Sequence, residues 1–202
     1  MVAESLDFMA SRLEKVTGKK PTPAKIESSV RSLLKEIVKK HRRVCFDGDG
    51  YSEEWTKEAA KRGLPNVCNA ADSLPTFKSR IATSLFSKYG VLSARELKAR
   101  GEVLLEQYCT NLEIEGRTLS TIIRTQVLPA ALRGQAELAD VVGATQVAGV
   151  ECPDTEADLS ALVGQISKLR TGILEVEAAL TSNTHDPEKY AKLLRGKLVP
   201  AM

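Results

Sequence analysis

The stretch Thr155-Glu-Ala-Asp-Leu-Ser-Ala-Leu-Val-Gly-Gln-Ile-Ser-Lys-Leu-Arg-Thr-Gly-Ile-Leu-Glu-Val-Glu-Ala-Ala-Leu180 decides the fold class. Leu159, Leu162, Ile166, Leu169, Ile173, Val176 and Leu180 recur at alternating intervals of three and four. That spacing keeps one apolar row on one side of a helix and makes a coiled-coil seam. Downstream, Ser182-Asn-Thr-His185 reads as a turn, and Asp186-Pro187 caps and starts a last helix still running at Val199. Helix, short turn and helix predict an antiparallel hairpin over 151–202, with the seam satisfied inside it. Upstream, Ser93-Ala-Arg-Glu96 has the capping-box pattern and opens a helical stretch to about Val147. Gly101, Gly116 and Pro129 lie inside it. Pro129 lacks a backbone donor and crowds the preceding turn, so a kink or break is expected near Gln126.

The N-terminal third reads as helices too. Val2, Leu6, Met9, Leu13 and Val16 line one face. Gly18-Lys-Lys-Pro21 breaks that helix, and Pro23 opens the next, with Ile26, Val30, Leu33, Leu34, Ile37 and Val38 as its stripe. Val44 to Phe46 is expected to be extended. Ser52 can cap a short helix that stops at Gly63, with Glu53 and Glu54 at its positive end. Residues 65–74 read as loop, followed by a helix from Pro75 to Tyr89 ending at Gly90. The expectation is an all-α helical bundle with a long Pro-interrupted helix and a C-terminal antiparallel coiled-coil hairpin. Its regions are 1–150 and the hairpin 151–202, part of the same unit.

Composition agrees with this class and narrows function. The 202 residues are 43% hydrophobic but only 4% aromatic, so the apolar mass is mainly aliphatic. A net charge of +3 does not argue for nucleic acid, and no apolar run could cross a bilayer. Cys45, Cys68, Cys109 and Cys152 are scattered without ligand spacing, which predicts free thiols and a cytoplasmic protein.

Each candidate for chemistry has a simpler reading. Asp47-Gly-Asp-Gly50 lacks the third oxygen ligand and the glycine of a calcium loop, because Tyr51 and Ser52 stand there. It also lacks the lysine of a phosphate loop. The simpler reading is a tight turn with glycines at positive φ. Lys39-Lys-His-Arg-Arg43 could meet nucleic acid, but cations also suit a helix C-terminus. His41 and His185 are the only histidines, each at a helix boundary. Trp55, the single tryptophan, reads as a core anchor. No motif for acyl, phosphoryl or hydride transfer is present.

Several segments, in order, are similar to the C-terminal part of type III glutamine synthetases. Phe46-Asp-Gly-Asp-Gly-Tyr-Ser-Glu-Glu-Trp55 resembles that family's Phe-Asn-Gly-Asp-Gly-Tyr-Ser-Glu-Glu-Trp signature, with Asp47 in place of Asn. Val2 to Asp7, Ala60 to Leu64, Lys88 to Ser93 with Glu96 and Leu97, Leu105 to Tyr108, Thr125 to Ala131 and Val199 to Met202 also resemble it. From Ala144 to Ser182 only the periodicity is shared.

The resemblance implies a ligase joining glutamate and ammonia with ATP and divalent metal, in ring-shaped oligomers. It places the metal, ATP and glutamate ligands outside this sequence, so no catalytic, cofactor or metal residue is carried over and no cofactor is expected in this chain. It also makes the chain a piece of a longer protein. The expected role is structural: to pack on the catalytic domain and support a homo-oligomer, without nucleic acid or membrane, and without activity alone. Phe46, Asp47, Gly48, Asp49, Gly50, Tyr51, Glu53, Glu54 and Trp55 form the candidate inter-domain contact loop. The alternative is a free-standing helical interaction module whose seam takes a partner helix.

Overall fold

Helices form wherever the apolar stripe, cap and stop coincide in the sequence. The computed structural model describes every residue except Asn183 and His185, and it is all-α, with no strand among the described residues. The expected turn at 182–185 and the histidine within it therefore lie partly outside the described residues. The chain divides into two units, 1–68 with 80–93, and 69–79 with 94–202.

In the first unit, α1 (Val2–Thr17) and α2 (Pro23–His41) pack on each other. Thr22 caps α2 by accepting from Lys25 N, and Pro23 occupies its first turn. Arg12 binds Glu36 at 2.7 Å across the pair. Arg42–Val44 is a 3-10 turn, so the extended segment expected from Val44 begins only at Cys45. Then come α3 (Glu53–Lys61) and, after residues assigned to the other unit, α5 (Arg80–Lys88). The end of α5 is tied to α1. Asp7 accepts from Lys88 Nζ at 2.7 Å and from Tyr89 Oη at 3.0 Å, and these two donors hold its carboxyl below the usual carboxylate range. Gly90, at φ 62°, ends α5 in the left-handed region that other residues avoid.

The second unit begins with α4 (Ala70–Ser73) and a 3-10 turn, Leu74–Lys78. These elements correct two expectations. Residues 70–74 are not loop, because Asn69 caps a helical turn by accepting from Asp72 N. Nor does one helix span Pro75 to Tyr89, because Ser79 is extended between the 3-10 turn and α5.

α6 (Ala94–Ile122) follows Ser93, as the capping pattern predicts. It joins α7 (Leu128–Val147) through a π turn, Ile123–Val127, and the joined helix is 54 residues long. Where a kink or break is expected near Gln126, the helix carries this π turn and continues. A wider turn ahead of Pro129 absorbs its missing donor and its ring without interrupting the helix. The C-terminal helix repeats the device: α9 (Pro187–Leu193), a π turn Leu194–Leu198, then α10 (Val199–Ala201) with Pro200 inside it.

α8 (Pro153–Thr181) carries the seam. Its principal partner differs from the expected one. α8 runs antiparallel along α7 and α6, shown by Gln146 bonding Glu156 at one end and Arg124 bonding Glu177 at the other. The terminal helix joins only at the far end, where Ala191, Leu194 and Leu198 meet Leu105, Cys109, Val176 and Ala179 in the core. Gly116 permits this meeting, since a Cβ there would stand 3.1 Å from Leu198 Cδ1 and 3.3 Å from Leu180 Cδ2. All four cysteines are unpaired, and burial pushes the Cys109 thiol up. No helix among the described residues is long and apolar enough to cross a membrane.

The π turn beside Pro129 is clamped. Arg124 donates from Nε and Nη2 to both carboxylate oxygens of Glu177 at 2.6 Å, and Ser120 Oγ donates to Oε1 at 2.7 Å. The guanidinium first, then the hydroxyl, hold the Glu177 carboxyl down to about 2, from an ordinary 4.5. A lowered folded value contributes stability that is complete above 4.5 and is lost as pH falls through about 2. Glu177→Gln is expected to lower stability at neutral pH and flatten its fall across that acid window. Unfolding followed by circular dichroism at several acid pH values checks this. A variant whose pH profile parallels the parent's contradicts it.

Candidate functional site

The loop from Phe46 to Trp55 is organised by its own short-range bonds. Asp49 Oδ1 accepts from Tyr51 N at 2.9 Å, and Asp49 O accepts from Ser52 Oγ at 2.7 Å. Asx turns of this kind fix the backbone without a regular element. Ser52 Oγ then accepts from Trp55 N at 3.2 Å and caps α3, as its sequence position predicts. Glu53 and Glu54 sit exposed in the first turn of that helix.

Aromatic stacking closes the loop. The Phe46 and Trp55 rings stack at 4.7 Å between centroids and 27° between planes. The Arg62 guanidinium lies over the Trp55 ring, 5.6 Å from its centroid. Its Nη1 donates to Cys45 O at 2.6 Å and its Nε to Glu58 at 2.7 Å. Arg62 was not singled out from the sequence. It sits just past the end of a helix, where a cation looks like an ordinary dipole partner, and only the fold brings the carbonyl before Phe46 to it.

The glycines act differently from the expectation. Neither Gly48 nor Gly50 has positive φ. A Cβ on Gly48 would stand 2.7 Å from Phe46 Cε1 and 2.8 Å from Cζ, so this glycine makes room for the ring. Gly50 has open space around it. Gly48→Ala is expected to displace Phe46 from Trp55 and change the emission of the only tryptophan, while Gly50→Ala leaves it as in the parent. Because Phe46 can swing outward, the global cost of Gly48→Ala is expected to stay below about 1 kcal/mol. Unchanged emission in Gly48→Ala overturns this account of the loop.

The stack leaves a polar, protruding rim. Asp47, Gly48, Asp49 and Gly50 are exposed, and Tyr51 is 102% exposed. Asp47 also borders an open groove with Arg42, Arg43 and Arg62. Among the described residues no group of three or more His, Cys, Asp or Glu could hold a metal ion. Trp55 is a half-buried anchor of the loop, and His41 lies at the end of α2 beside Phe8 and Ile37.

This loop lies within the part of the chain that matches a known family model, the glutamine synthetase C-terminal domain, over residues 29–146. The chain belongs to that family. A glutamine synthetase of Butyrivibrio fibrisolvens is 31% identical over 165 residues, 81% of this chain and 23% of that protein. A type-3 glutamine synthetase of Dictyostelium discoideum is 34% identical over 145 residues, 70% of this chain and 19% of that protein. A glutamine synthetase of Bacteroides fragilis (strain YCH46) is 33% identical over 112 residues, 55% of this chain and 15% of that protein. The chain thus spans less than a quarter of the length of each of these relatives.

Proposed function

We propose that this chain is a supporting C-terminal region of a type III glutamine synthetase. It docks on the catalytic part, contributes to oligomer assembly, and makes no glutamine alone. ATP and divalent metal belong to the catalytic part. One observation carries the docking role. The first unit buries only Leu33 and Ala59 among its described hydrophobic residues, while α1 buries none and leaves Val2, Leu6, Phe8 and Val16 open to solvent. Exposed aliphatic and aromatic side chains in this number on one helix hairpin support the reading that another element covers it. The Phe46 to Trp55 loop, held rigid with Tyr51 projecting, supplies a second contact of fixed shape.

A chimera tests the role. The matching 165 residues of the Butyrivibrio fibrisolvens relative are replaced by this chain, and glutamine formation is compared with that of a deletion lacking the stretch. The chimera is expected to regain assembly and activity that the deletion lacks. A chimera no better than the deletion leaves the open faces to the alternative, a separate interaction module.

A further inference from the structure

Charge is distributed very unevenly along this chain. Residues 19–43 hold nine Lys and Arg against two acids, Glu27 and Glu36. Both acids are already engaged, Glu27 by Arg31 and Glu36 by Arg12. The remaining cations are exposed and form no ion pair among the described residues. Lys35 and Lys39 lie on the outer face of α2 and Arg42 follows its last turn; Leu34 and Val38, one turn apart, stand beside Lys35 and Arg42 and are 50% and 61% exposed.

The second unit carries the opposite arrangement. α7 packs chiefly on α8, as a two-helix arm. Residues 134–167 of this arm hold six acids and no Lys or Arg. None of the six forms an ion pair among the described residues, and none joins a cluster able to hold a metal. The seam side of α7 is turned to α8 through Leu138 and Val142. On the opposite side Glu137, Asp140, Val141 and Val147 fall within one helical face, with Val141 and Val147 52% and 90% exposed.

We infer that the basic, aliphatic face of α2 is a docking site for the acidic, valine-bearing arm of a second copy of this chain. Each surface offers two aliphatic side chains beside two charges, with opposite sign. An unpaired basic face and an unpaired acidic face on one molecule satisfy each other between copies, and like faces repel. The contact is heterologous, joining different surfaces of the two copies, so each copy keeps one face of each kind for a further neighbour. It deepens the assembly role proposed above and rests on that reading for its place in an enzyme. It is measured without any ligase assay, so either can fail alone.

Sedimentation of the isolated chain tests it. At ~50 mM salt the chain is expected to self-associate, and at ~500 mM the association constant is expected to fall at least about tenfold, because screening shortens the reach of exposed charges. Lys35→Glu with Arg42→Glu, and separately Glu137→Lys with Asp140→Lys, should each abolish self-association at low salt. Mixing these two variants should restore it, because each reversed face then meets a reversed partner. All four positions are exposed, and circular dichroism confirms the fold of each variant. A chain monomeric at ~100 µM in low salt overturns the inference, as does association indifferent to salt or to both reversals. A monomer that instead binds a polyanion overturns it too, and assigns the α2 face to that ligand.

Discussion

Leu198→Ala is expected to destabilise the second unit by about 2–5 kcal/mol, the range for emptying a fully enclosed leucine site. Leu198 is 0% exposed and stands where α6, α8 and the terminal helix meet. Its Cδ1 would lie 3.1 Å from a Cβ at Gly116, so the α6 backbone itself forms one wall of the site. A helix backbone cannot collapse into the space left by an isobutyl group, which places the cost toward the upper part of the range. Val199, its neighbour, is 46% exposed, and Val199→Ala is expected to cost no more than about 0.5 kcal/mol. Urea unfolding followed by far-ultraviolet circular dichroism separates the two. A Leu198→Ala loss below about 1 kcal/mol would show that the terminal helix is not integral to the core.

Trp55→Ala is expected to cost about 2 kcal/mol and to dismantle the Phe46 to Trp55 loop. The indole is half buried, so the cost falls short of a core tryptophan's. Its removal nevertheless releases Phe46, whose ring stacks on it, and uncovers the guanidinium of Arg62. Trp55→Phe keeps a stacking ring and is expected to recover most of the loss. In the chimera, Trp55→Ala should weaken assembly or lower activity where Trp55→Phe does not. Amide exchange across 46–55 reads the loop directly in the isolated chain. Protection equal to the parent's in Trp55→Ala would mean that the turn bonds of Asp49 and Ser52 suffice without the stack.

Local chemistry explains which features were legible in the sequence. Ser52 as a cap, Gly63 and Gly90 as stops, and the apolar row from Leu159 to Leu180 each depend on neighbouring residues alone, and the structure has them where expected. Periodicity states which face of α8 is buried, but not what covers it. The long joined helix proved to be its main partner, with the terminal helix joining at one end. Pro129 correctly marked a perturbation. Its form is a π turn instead of a break, and the clamp between Arg124 and Glu177 beside it joins residues 53 apart, which local spacing does not encode. The string around Gly48 predicts a turn glycine, because glycine-rich strings commonly need positive φ. Its actual role, room for the Phe46 ring, depends on a side-chain position that no spacing rule encodes. The family signature covers this loop from Phe46 to Trp55, yet Arg62, which secures it, lies outside the signature.

The most direct test of the docking role is sedimentation velocity of this chain mixed with the Butyrivibrio fibrisolvens relative lacking its matching 165 residues, with glutamine formation assayed in the same samples. A co-sedimenting complex with activity above that of the truncated enzyme alone is the predicted result. Two independent boundaries with unchanged activity would contradict it.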